Sequence, residues 1–192
     1  MDINLFFPTV IAIDENIDLA SAMLPVAQKY LSNSSLITSN LEYKTTYSST
    51  SGIEEFDDVK PFMDYIYQKS LEFLDRCGYD IDKINLHGKV FTSEMVVGDS
   101  HAHHIHPNSL LSGVFYLQVP AGSAPIVFSD TRTMKRMVSL PKINETIINS
   151  AEVPVVPKPG MLVLWESWVT HSVPKNQSVD GRITLVFNLS WV

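Results

Sequence analysis

The most constraining feature of this 192-residue sequence is a group of histidines that leads into a β-type segment. Four of the six histidines lie within residues 101–106, and a run of β-branched and aromatic residues follows shortly after. Side chains two residues apart on an extended chain point to the same side. His104 and His106 are therefore predicted to converge on one point, with His101 and His103 as the competing pair. Imidazoles grouped in this way favour a metal site.

Composition and charge narrow the class of protein. Hydrophobic residues make up 45% of the sequence and charged residues 18%, which is typical of a globular chain. The formal net charge of −7 argues against non-specific nucleic-acid binding, which needs a basic surface. The single cysteine, Cys77, cannot form an internal disulfide, which favours a reducing compartment. Since no apolar run reaches membrane-spanning length and no signal-peptide pattern opens the chain, we expect a cytoplasmic protein without a membrane partner.

Periodicity predicts one domain, residues 1–192, with a helical part over about 1–80 and a strand-rich part over about 84–192. The predicted helices are Asn16–Leu31, which Pro25 should kink or split, and Asp57–Cys77. The predicted strands are Val10–Ile13, Leu41–Tyr47, Val90–Val97, Ser112–Val119, Ile126–Phe128, Met161–Trp165 and Arg182–Val192. Residues 131–159 are predicted to be irregular. Short strands with turn residues between them favour a mainly β, two-sheet jelly roll or barrel with flanking helices.

A third candidate metal ligand, His171, lies far along the chain from His104 and His106. A barrel of antiparallel strands can bring such distant segments together. Three protein ligands with open positions are usual for a catalytic metal, whereas a closed set of four is structural. The single cysteine excludes a cysteine-rich zinc site. Imidazole suits iron, zinc, copper and nickel alike, so the ligand type alone does not choose the metal.

Arg182, at the start of the last predicted strand, is the second clue. Strand alternation divides the residues that follow into two faces: Arg182, Thr184, Val186 and Asn188 on one, and Ile183, Leu185, Phe187 and Leu189 on the other. An arginine on the inner face of a barrel is costly unless it pairs with an anion, and its planar fork matches a carboxylate. A dicarboxylate that chelates the metal and also meets Arg182 would satisfy both groups. The alternative pairs Arg182 with Asp180 or another surface acid.

Several other residues carry weaker signals. Tyr116 has the same parity as His104 and His106 if the segment stays extended, although a tyrosine in an apolar strand more often packs in a core. Trp165 and Trp168 precede His171, and each either lines the pocket around the metal or packs in the core. Substrate contact or plain solvation is expected of three loop residues: Asp130, Arg132 and Arg136.

Five motifs follow one another in the strand-rich part: H-I-H-P at 104–107, S-G-V-F-Y at 112–116, P-G-M-L-V-L-W at 159–165, H-S-V-P at 171–174 and R-I-T…F-N at 182–188. L-F-F-P-T at 5–9 opens the chain. In this order and spacing the motifs resemble the 2-oxoglutarate- and Fe(II)-dependent oxygenases, and most closely a branch with an H-x-H-P…S-G-V-Y-Y core. The resemblance covers most of the chain.

The resemblance implies a double-stranded β-helix of the jelly-roll, cupin-like type, with helices packed on one sheet. It implies Fe(II) as the metal, held by three catalytic residues: His104, His106 and His171. It implies 2-oxoglutarate as co-substrate, with O₂, and a surrounding set of four residues: Arg182 for the far carboxylate, and Tyr116, Thr184 and Asn188. The implied activity is hydroxylation of an unidentified substrate with decarboxylation of 2-oxoglutarate to succinate.

One departure from the family pattern concerns the middle ligand. Most enzymes of the wider superfamily have Asp or Glu there, and this chain has His106, which leaves one more positive charge on the metal. Asp99 or Asp130 is an alternative source of a carboxylate. Two other functional classes stay open, a cupin-like three-histidine metalloprotein that does not use 2-oxoglutarate and a non-catalytic jelly-roll binding module. The substrate is open among a protein side chain, a small metabolite and a nucleobase, and a homodimer is compatible with the sequence.

Overall fold

Two antiparallel β-sheets, with two helices against one of them, form the part of the chain that the computed structural model describes: residues 1–33, 37, 43–47, 52–132 and 137–191. The helices are α1 (Ile17–Ser32) and α2 (Lys60–Arg76), and short 3₁₀ turns cover Asp57–Val59 and Ile81–Lys83. The strands are β1 (Ile11–Glu15), β2 (Lys44–Thr45), β3 (Leu86–Met95), β4 (His101–His104), β5 (Leu111–Gln118), β6 (Ile126–Ser129), β7 (Glu152–Val155), β8 (Met161–Glu166), β9 (His171–Val173) and β10 (Arg182–Trp191). No helix in these ranges is long and apolar enough to cross a membrane.

Local chemistry accounts for the start of α1 and for the end of α2. The side chain of Asn16 caps α1 by accepting a hydrogen bond from the Leu19 N–H at 3.0 Å. α1 continues past Pro25 without being split, contrary to one of the two predicted outcomes. α2 ends at Arg76, and Gly78 follows with a φ of 88°, a left-handed conformation that glycine adopts without strain.

The sheets have the strand orders expected of a jelly roll, which confirms the predicted fold class. The larger sheet has the order β1-β8-β5-β10-β3-β2, and the smaller has the order β4-β9-β6-β7. All strand pairs are antiparallel. Most neighbouring strands in the two sheets are not consecutive in sequence, and β4 and β9 bring the segments around residues 104 and 171 together.

The larger sheet is buried on both faces. On one face the helices pack against it, with the Phe62 ring of α2 stacked at 5.6 Å on Phe115 of β5. On the other face a second apolar cluster, which includes Val163 and Trp165 of β8 and Phe128 of β6, fills part of the space between the sheets. Burial of one such aromatic side chain contributes roughly 1.5–3 kcal/mol. Packing on both faces therefore holds the central strands rigidly in register.

Strand β10 divides its side chains between these two layers as the alternation predicts. One set faces the helices: Ile183, Leu185, Phe187 and Leu189. The other set lines a cavity between the sheets: Arg182, Thr184, Val186 and Asn188. The same strand thus supplies core contacts on one face and polar groups on the other.

Three segments differ from the prediction. β3 begins at Leu86, four residues before the predicted start. β7 lies within the stretch predicted to be irregular, because Pro154 suggested a break; β7 is an edge strand, where proline is tolerated. Of the predicted strand Leu41–Tyr47, β2 covers two residues, and Leu41 lies outside the described residues, as does Val192 at the end of the last predicted strand.

Gly113 offers a test of the packing at the sheet centre. A Cβ at this position would collide with the ring of Phe187 and would lie 2.9 Å from the backbone oxygen of Val163. We expect Gly113→Ala to lower the free energy of unfolding by about 1–3 kcal/mol, measured by urea denaturation. Phe187→Leu removes the colliding ring, so the double variant should be more stable than the sum of the single effects predicts. A Gly113→Ala protein as stable as the native one would contradict this packing.

Candidate active site

A cavity of about 740 Å³ lies between the two sheets, within the range usual for ligand sites. Its floor is formed by facing residues of β3 and β10, paired in register: Met95 with Arg182, Ser93 with Thr184, Phe91 with Val186, Lys89 with Asn188, and His87 with Ser190. Successive pairs on one face lie about 7 Å apart. The floor therefore changes in character along its length. It begins with the buried Arg182 at one end, becomes apolar at Phe91 and Val186, and ends in polar residues at the other.

Three histidines meet in this cavity. β4 and β9 pair so that His104 lies directly opposite His171, and His106 follows β4 with its N–H donating to the Ser167 carbonyl at 3.0 Å. One ring nitrogen from each of the three lies within 4.8 Å of the others. The Nε2 atoms of His106 and His171 are 3.2 Å apart. Within the described ranges these three histidines are the one group of His, Cys, Asp and Glu side chains with this spacing.

Backbone carbonyls orient two of the three rings. The Nδ1–H of His171 donates to the Val169 oxygen at 2.9 Å, and the Nδ1–H of His104 donates to the Ala102 oxygen at 2.8 Å. In the neutral rings both Nε2 atoms then carry a lone pair, the usual arrangement of histidines that bind metals. The lone pair on the Nε2 of His171 is directed to a point where the Nε2 of His106 lies 3.2 Å away and a ring nitrogen of His104 lies within 4.8 Å. The donor set therefore fits a divalent metal ion with three imidazole ligands.

Burial keeps these imidazoles neutral. Burial, reinforced by the charges of the neighbouring histidines, lowers the pKa of His106 to about 3. Burial also lowers the pKa of His171 to about 4, against the hydrogen bond to Val169. It lowers the pKa of His104 as well. Neutral imidazole is the form that binds a metal, so all three rings are ready to do so at pH 7.

The competing pair, His101 and His103, does not converge. The pairing of β4 with β9 is irregular between His101 and His104, and this turns His101 into the cavity, where its ring stacks on His104 at 3.8 Å. Burial lowers the pKa of His101 to about 4. His103 points the other way, with its side chain 57% exposed and its Nε2 3.8 Å from Glu152.

Arg182 lies at the closed end of the cavity and is only 5% exposed. Its Nη1 donates to the Ala124 carbonyl and its Nη2 to the Met95 sulfur, both at 2.7 Å. Its Nε is buried without a hydrogen-bond partner. No carboxylate of the described residues pairs with it, so the alternative pairing with Asp180 is not found. The guanidinium lies 5.7 Å from the centre of the Tyr116 ring.

The other three residues expected around the co-substrate also line the cavity. Tyr116 is buried, and its burial raises the pKa of the phenol to about 12, so it remains a hydrogen-bond donor. Thr184 is buried one pair along the floor from Arg182. Asn188 accepts from the Ser112 hydroxyl at 2.8 Å, and Ser112 is 2.7 Å from the hydroxyl of Ser167. This polar network joins Asn188 to the residue that holds the His106 backbone.

The alternative carboxylates are engaged elsewhere. Asp99 accepts from the Val96 N–H at 2.8 Å within its own turn, and Asp130 forms an ion pair with Arg132 at 2.9 Å. Neither lines the cavity, so His106 is not replaced by a nearby acid among the residues described.

The two tryptophans before His171 differ in their placement. Trp165 walls the cavity, with its ring 4.7 Å from that of His171. Trp168 is 48% exposed and does not line the cavity. Of the three loop residues, Arg132 is fully engaged with Asp130, and Arg136 lies outside the described ranges.

Sequence reasoning missed the groups that hold Arg182. The Ala124 carbonyl is a backbone group and leaves no side-chain signal. Met95 occupies a position expected of an ordinary core residue. Asn176, whose amide bonds to the backbones of both, lies in a loop without a strong pattern. Strand alternation within the predicted strand Val90–Val97 is a signal that could have indicated Met95.

Comparison with known proteins places the chain in a family. The family described as "Putative 2OG-Fe(II) oxygenase" matches residues 90–188, just over half of the chain. No curated protein matches the sequence.

Solved structures share the fold. A prolyl-4-hydroxylase from Pseudomonas putida is similar, with a TM-score of 0.65 and 12% identity over 95% of this chain and 92% of that one. A prolyl hydroxylase from Trichoplax adhaerens, solved with a hypoxia inducible factor peptide fragment, is similar with a TM-score of 0.58. Its sequence identity is 14%, over 94% of this chain and 83% of that one. The epimerase SnoN, solved with Fe³⁺, alpha ketoglutarate and nogalamycin RO, is similar with a TM-score of 0.59. Its sequence identity is 11%, over 95% of this chain and 79% of that one.

Removal of a histidine tests the metal site. We expect His104→Ala, His106→Ala and His171→Ala each to weaken binding of Fe(II), or of Mn(II) as its stable substitute, by about 100-fold or more, because each removes a ligand. Anaerobic calorimetry measures the affinity. His103→Ala, in the same segment but facing solvent, is the matched control and should bind as the native protein does. Equal losses in all four variants would argue against this assignment.

The lowered histidine pKa values predict how stability depends on pH in the metal-free protein. His171 has an ordinary pKa of 6.5 when unfolded and about 4 when folded, so between these values the unfolded chain binds the extra proton. Stability must therefore fall as the pH drops from about 6.5 towards 4. Between pH 7.5 and 5 the native protein should lose free energy of unfolding. We expect His171→Gln to reduce this loss by roughly 2 kcal/mol, measured by urea denaturation. A His171→Gln protein with the native pH dependence would refute the assignment.

Proposed function

Because the chain belongs to the family of 2-oxoglutarate- and Fe(II)-dependent oxygenases, which are oxidoreductases, we propose that it hydroxylates a substrate with conversion of 2-oxoglutarate to succinate. In this proposal His104, His106 and His171 hold Fe(II), and Arg182 holds the far carboxylate of 2-oxoglutarate. The observation that carries the proposal is a buried guanidinium without an anion, in the same cavity as three converging imidazoles.

The arginine needs a ligand of defined chemistry. Burial of an unpaired charge costs several kcal/mol, and two neutral acceptors offset only part of this cost. The Nε of Arg182 has no hydrogen-bond partner, and each Nη atom makes one hydrogen bond to the protein. A carboxylate accepts two parallel hydrogen bonds from such a fork. An anionic ligand that ends in a carboxylate therefore complements this end of the cavity.

Neighbouring side chains complete the carboxylate site in the proposal. The Tyr116 ring lies beside the guanidinium, and its phenol remains protonated at neutral pH. The Thr184 hydroxyl is one pair further along the floor. Both groups can donate a hydrogen bond to an anion held by Arg182. Arg182 and the three histidines line one cavity, which matches a ligand with a carboxylate at one end and a metal-chelating group at the other.

Side chains of the protein also exclude water from the site and position the reactants. Apolar side chains of Val114, Ile126 and Trp165 line the cavity around the histidines and exclude water. When bound, Fe(II) and 2-oxoglutarate supply the oxidising chemistry, in which O₂ splits the co-substrate into succinate and CO₂ and leaves one oxygen atom for the substrate. The contribution of the protein is to hold both reactants in one dry space at fixed separation.

The substrate is proposed to enter from the polar end of the floor. Beyond the apolar pair Phe91 and Val186 lie Lys89 and Asn188, followed by His87 and Ser190. Arg182 accounts for the other end, so these four polar residues are the part of the floor that we assign to the substrate. Substrate choice in this proposal depends on hydrogen bonds and charge at this end.

The three-histidine donor set also suits a metalloprotein that does not use 2-oxoglutarate. A carboxylate ligand would neutralise one of the two metal charges, and His106 does not. Arg182 separates the two functions, because a cavity that holds only a metal and a neutral substrate has no use for a buried, unpaired guanidinium. Binding of 2-oxoglutarate that depends on Arg182 is therefore the discriminating property.

The proposal predicts the effect of removing the guanidinium. We expect Arg182→Ala to weaken 2-oxoglutarate binding to the Mn(II)-loaded protein by about 100-fold or more, since it leaves one partner of a buried charge pair alone. Anaerobic calorimetry measures the affinity, and release of succinate in air with Fe(II) measures turnover. Arg132→Ala removes an exposed arginine and is the control. A native protein that binds no 2-oxoglutarate, or an Arg182→Ala protein that binds it normally, would overturn the proposal.

A further inference from the structure

We propose that Asn176 is a positioning residue for co-substrate binding. In this inference Asn176 fixes the two groups on which Arg182 rests and so sets the direction in which the guanidinium meets the far carboxylate of 2-oxoglutarate. The inference rests on the proposed function of Arg182.

Asn176 lies in the loop between β9 and β10 and is only 1% exposed. Its Nδ2–H donates to the Met95 carbonyl at 3.0 Å, and its Oδ1 accepts from the Ala124 N–H at 2.9 Å. Met95 and Ala124 are the same two residues whose sulfur and carbonyl oxygen accept hydrogen bonds from Arg182. A single buried amide therefore holds the backbones of both acceptors.

The backbone of Asn176 is itself held in place. Its N–H donates to the Asp99 carbonyl at 2.7 Å, and its carbonyl accepts from the Gly98 N–H at 2.8 Å. Gly98 and Asp99 belong to the turn between β3 and β4. Asn176 therefore has little freedom to follow either of its partners if one of them moves.

The two acceptors of Arg182 come from different parts of the fold. Met95 ends β3 in the larger sheet, whereas Ala124 precedes β6 in the smaller sheet. The Asn176 amide bridges the two and fixes their separation. Its orientation is determined, because a flipped amide would place its oxygen against the Met95 carbonyl and its NH₂ against the Ala124 N–H.

Loss of this bridge acts on the carboxylate end of the ligand. With Met95 and Ala124 fixed, the two hydrogen bonds to these residues hold the guanidinium in one orientation, which pre-orients the fork for a carboxylate. Without the amide, a buried N–H and a buried carbonyl lose their partner and the two acceptors are free to separate. Small displacements of a positioned group cost much binding energy. We expect the affinity for 2-oxoglutarate to fall by about tenfold in Asn176→Ala.

The test compares two ligands that differ only at the far end. 2-Oxopentanoate has the same 2-oxo acid group as 2-oxoglutarate and a methyl group in place of the far carboxylate. Calorimetry on the anaerobic Mn(II)-loaded protein gives both affinities for the native protein and for Asn176→Ala. The inference predicts that the variant loses about tenfold for 2-oxoglutarate, binds 2-oxopentanoate as before, and retains the native affinity for Mn(II).

Two controls separate positioning from general destabilisation. Asn149→Ala removes an exposed amide with the same kind of contacts, accepting from the Thr146 N–H and donating to the Asn144 carbonyl. Leu74→Ala removes a buried side chain in α2 and lowers stability without touching the cavity. Neither should change the affinity for 2-oxoglutarate. Native 2-oxoglutarate affinity in Asn176→Ala, or equal losses for both ligands and for Mn(II), would overturn the inference.

A second variant covers the case in which Asn176→Ala does not fold. Asn176→Asp keeps the acceptor for Ala124 and replaces the donor to Met95 by a carboxylate oxygen, so it too should discriminate less between the two ligands. Arg182→Ala separates this inference from the proposed function. If Arg182→Ala weakens 2-oxoglutarate binding and both Asn176 variants do not, the role of Asn176 alone is wrong. If Arg182→Ala has no effect either, the proposed function fails.

Discussion

A buried guanidinium without a carboxylate is the constraint around which the cavity is arranged. Among the described residues, the Arg182 guanidinium donates hydrogen bonds to a carbonyl and a thioether and lies over the ring of Tyr116, and no carboxylate pairs with it. A charge in such surroundings is tolerated when a ligand neutralises it, because burial of an unpaired ion costs several kcal/mol. The stability cost therefore favours an anionic ligand. In the proposed function, an anion that fits a planar fork binds at this end of the cavity.

The fold makes that arrangement possible because each of the two sheets supplies a different part of the site. The larger sheet supplies Arg182 from β10 and Tyr116 from β5, and its opposite face is anchored to the helices. The smaller sheet supplies His104 and His171 from the pair β4 and β9. Arginine and histidines therefore face each other across a gap whose width is fixed by apolar packing between the sheets. A ligand that bridges the gap contacts both sheets at once.

The sequence predicts the fold class and the residues of the cavity where a simple period governs the chain. Alternation along β10 places Arg182, Thr184 and Asn188 on the correct face. Parity fails at β4, where an irregular pairing turns His101 inward and leaves His103 in solvent. A bulge of this kind depends on the partner strand, which a local pattern does not reveal. β7 is missed for a related reason, since a proline is acceptable only because the strand lies at an edge.

The central claim is that one ligand joins the three imidazoles, through a metal, to the guanidinium of Arg182. A crystal structure of the protein grown anaerobically with Mn(II) and 2-oxoglutarate, with the metal located by anomalous scattering, tests it most directly. The account predicts one metal ion bound to His104, His106 and His171, and the far carboxylate of 2-oxoglutarate in hydrogen-bond contact with Arg182. A metal bound elsewhere, or a carboxylate that leaves Arg182 without a partner, would contradict it.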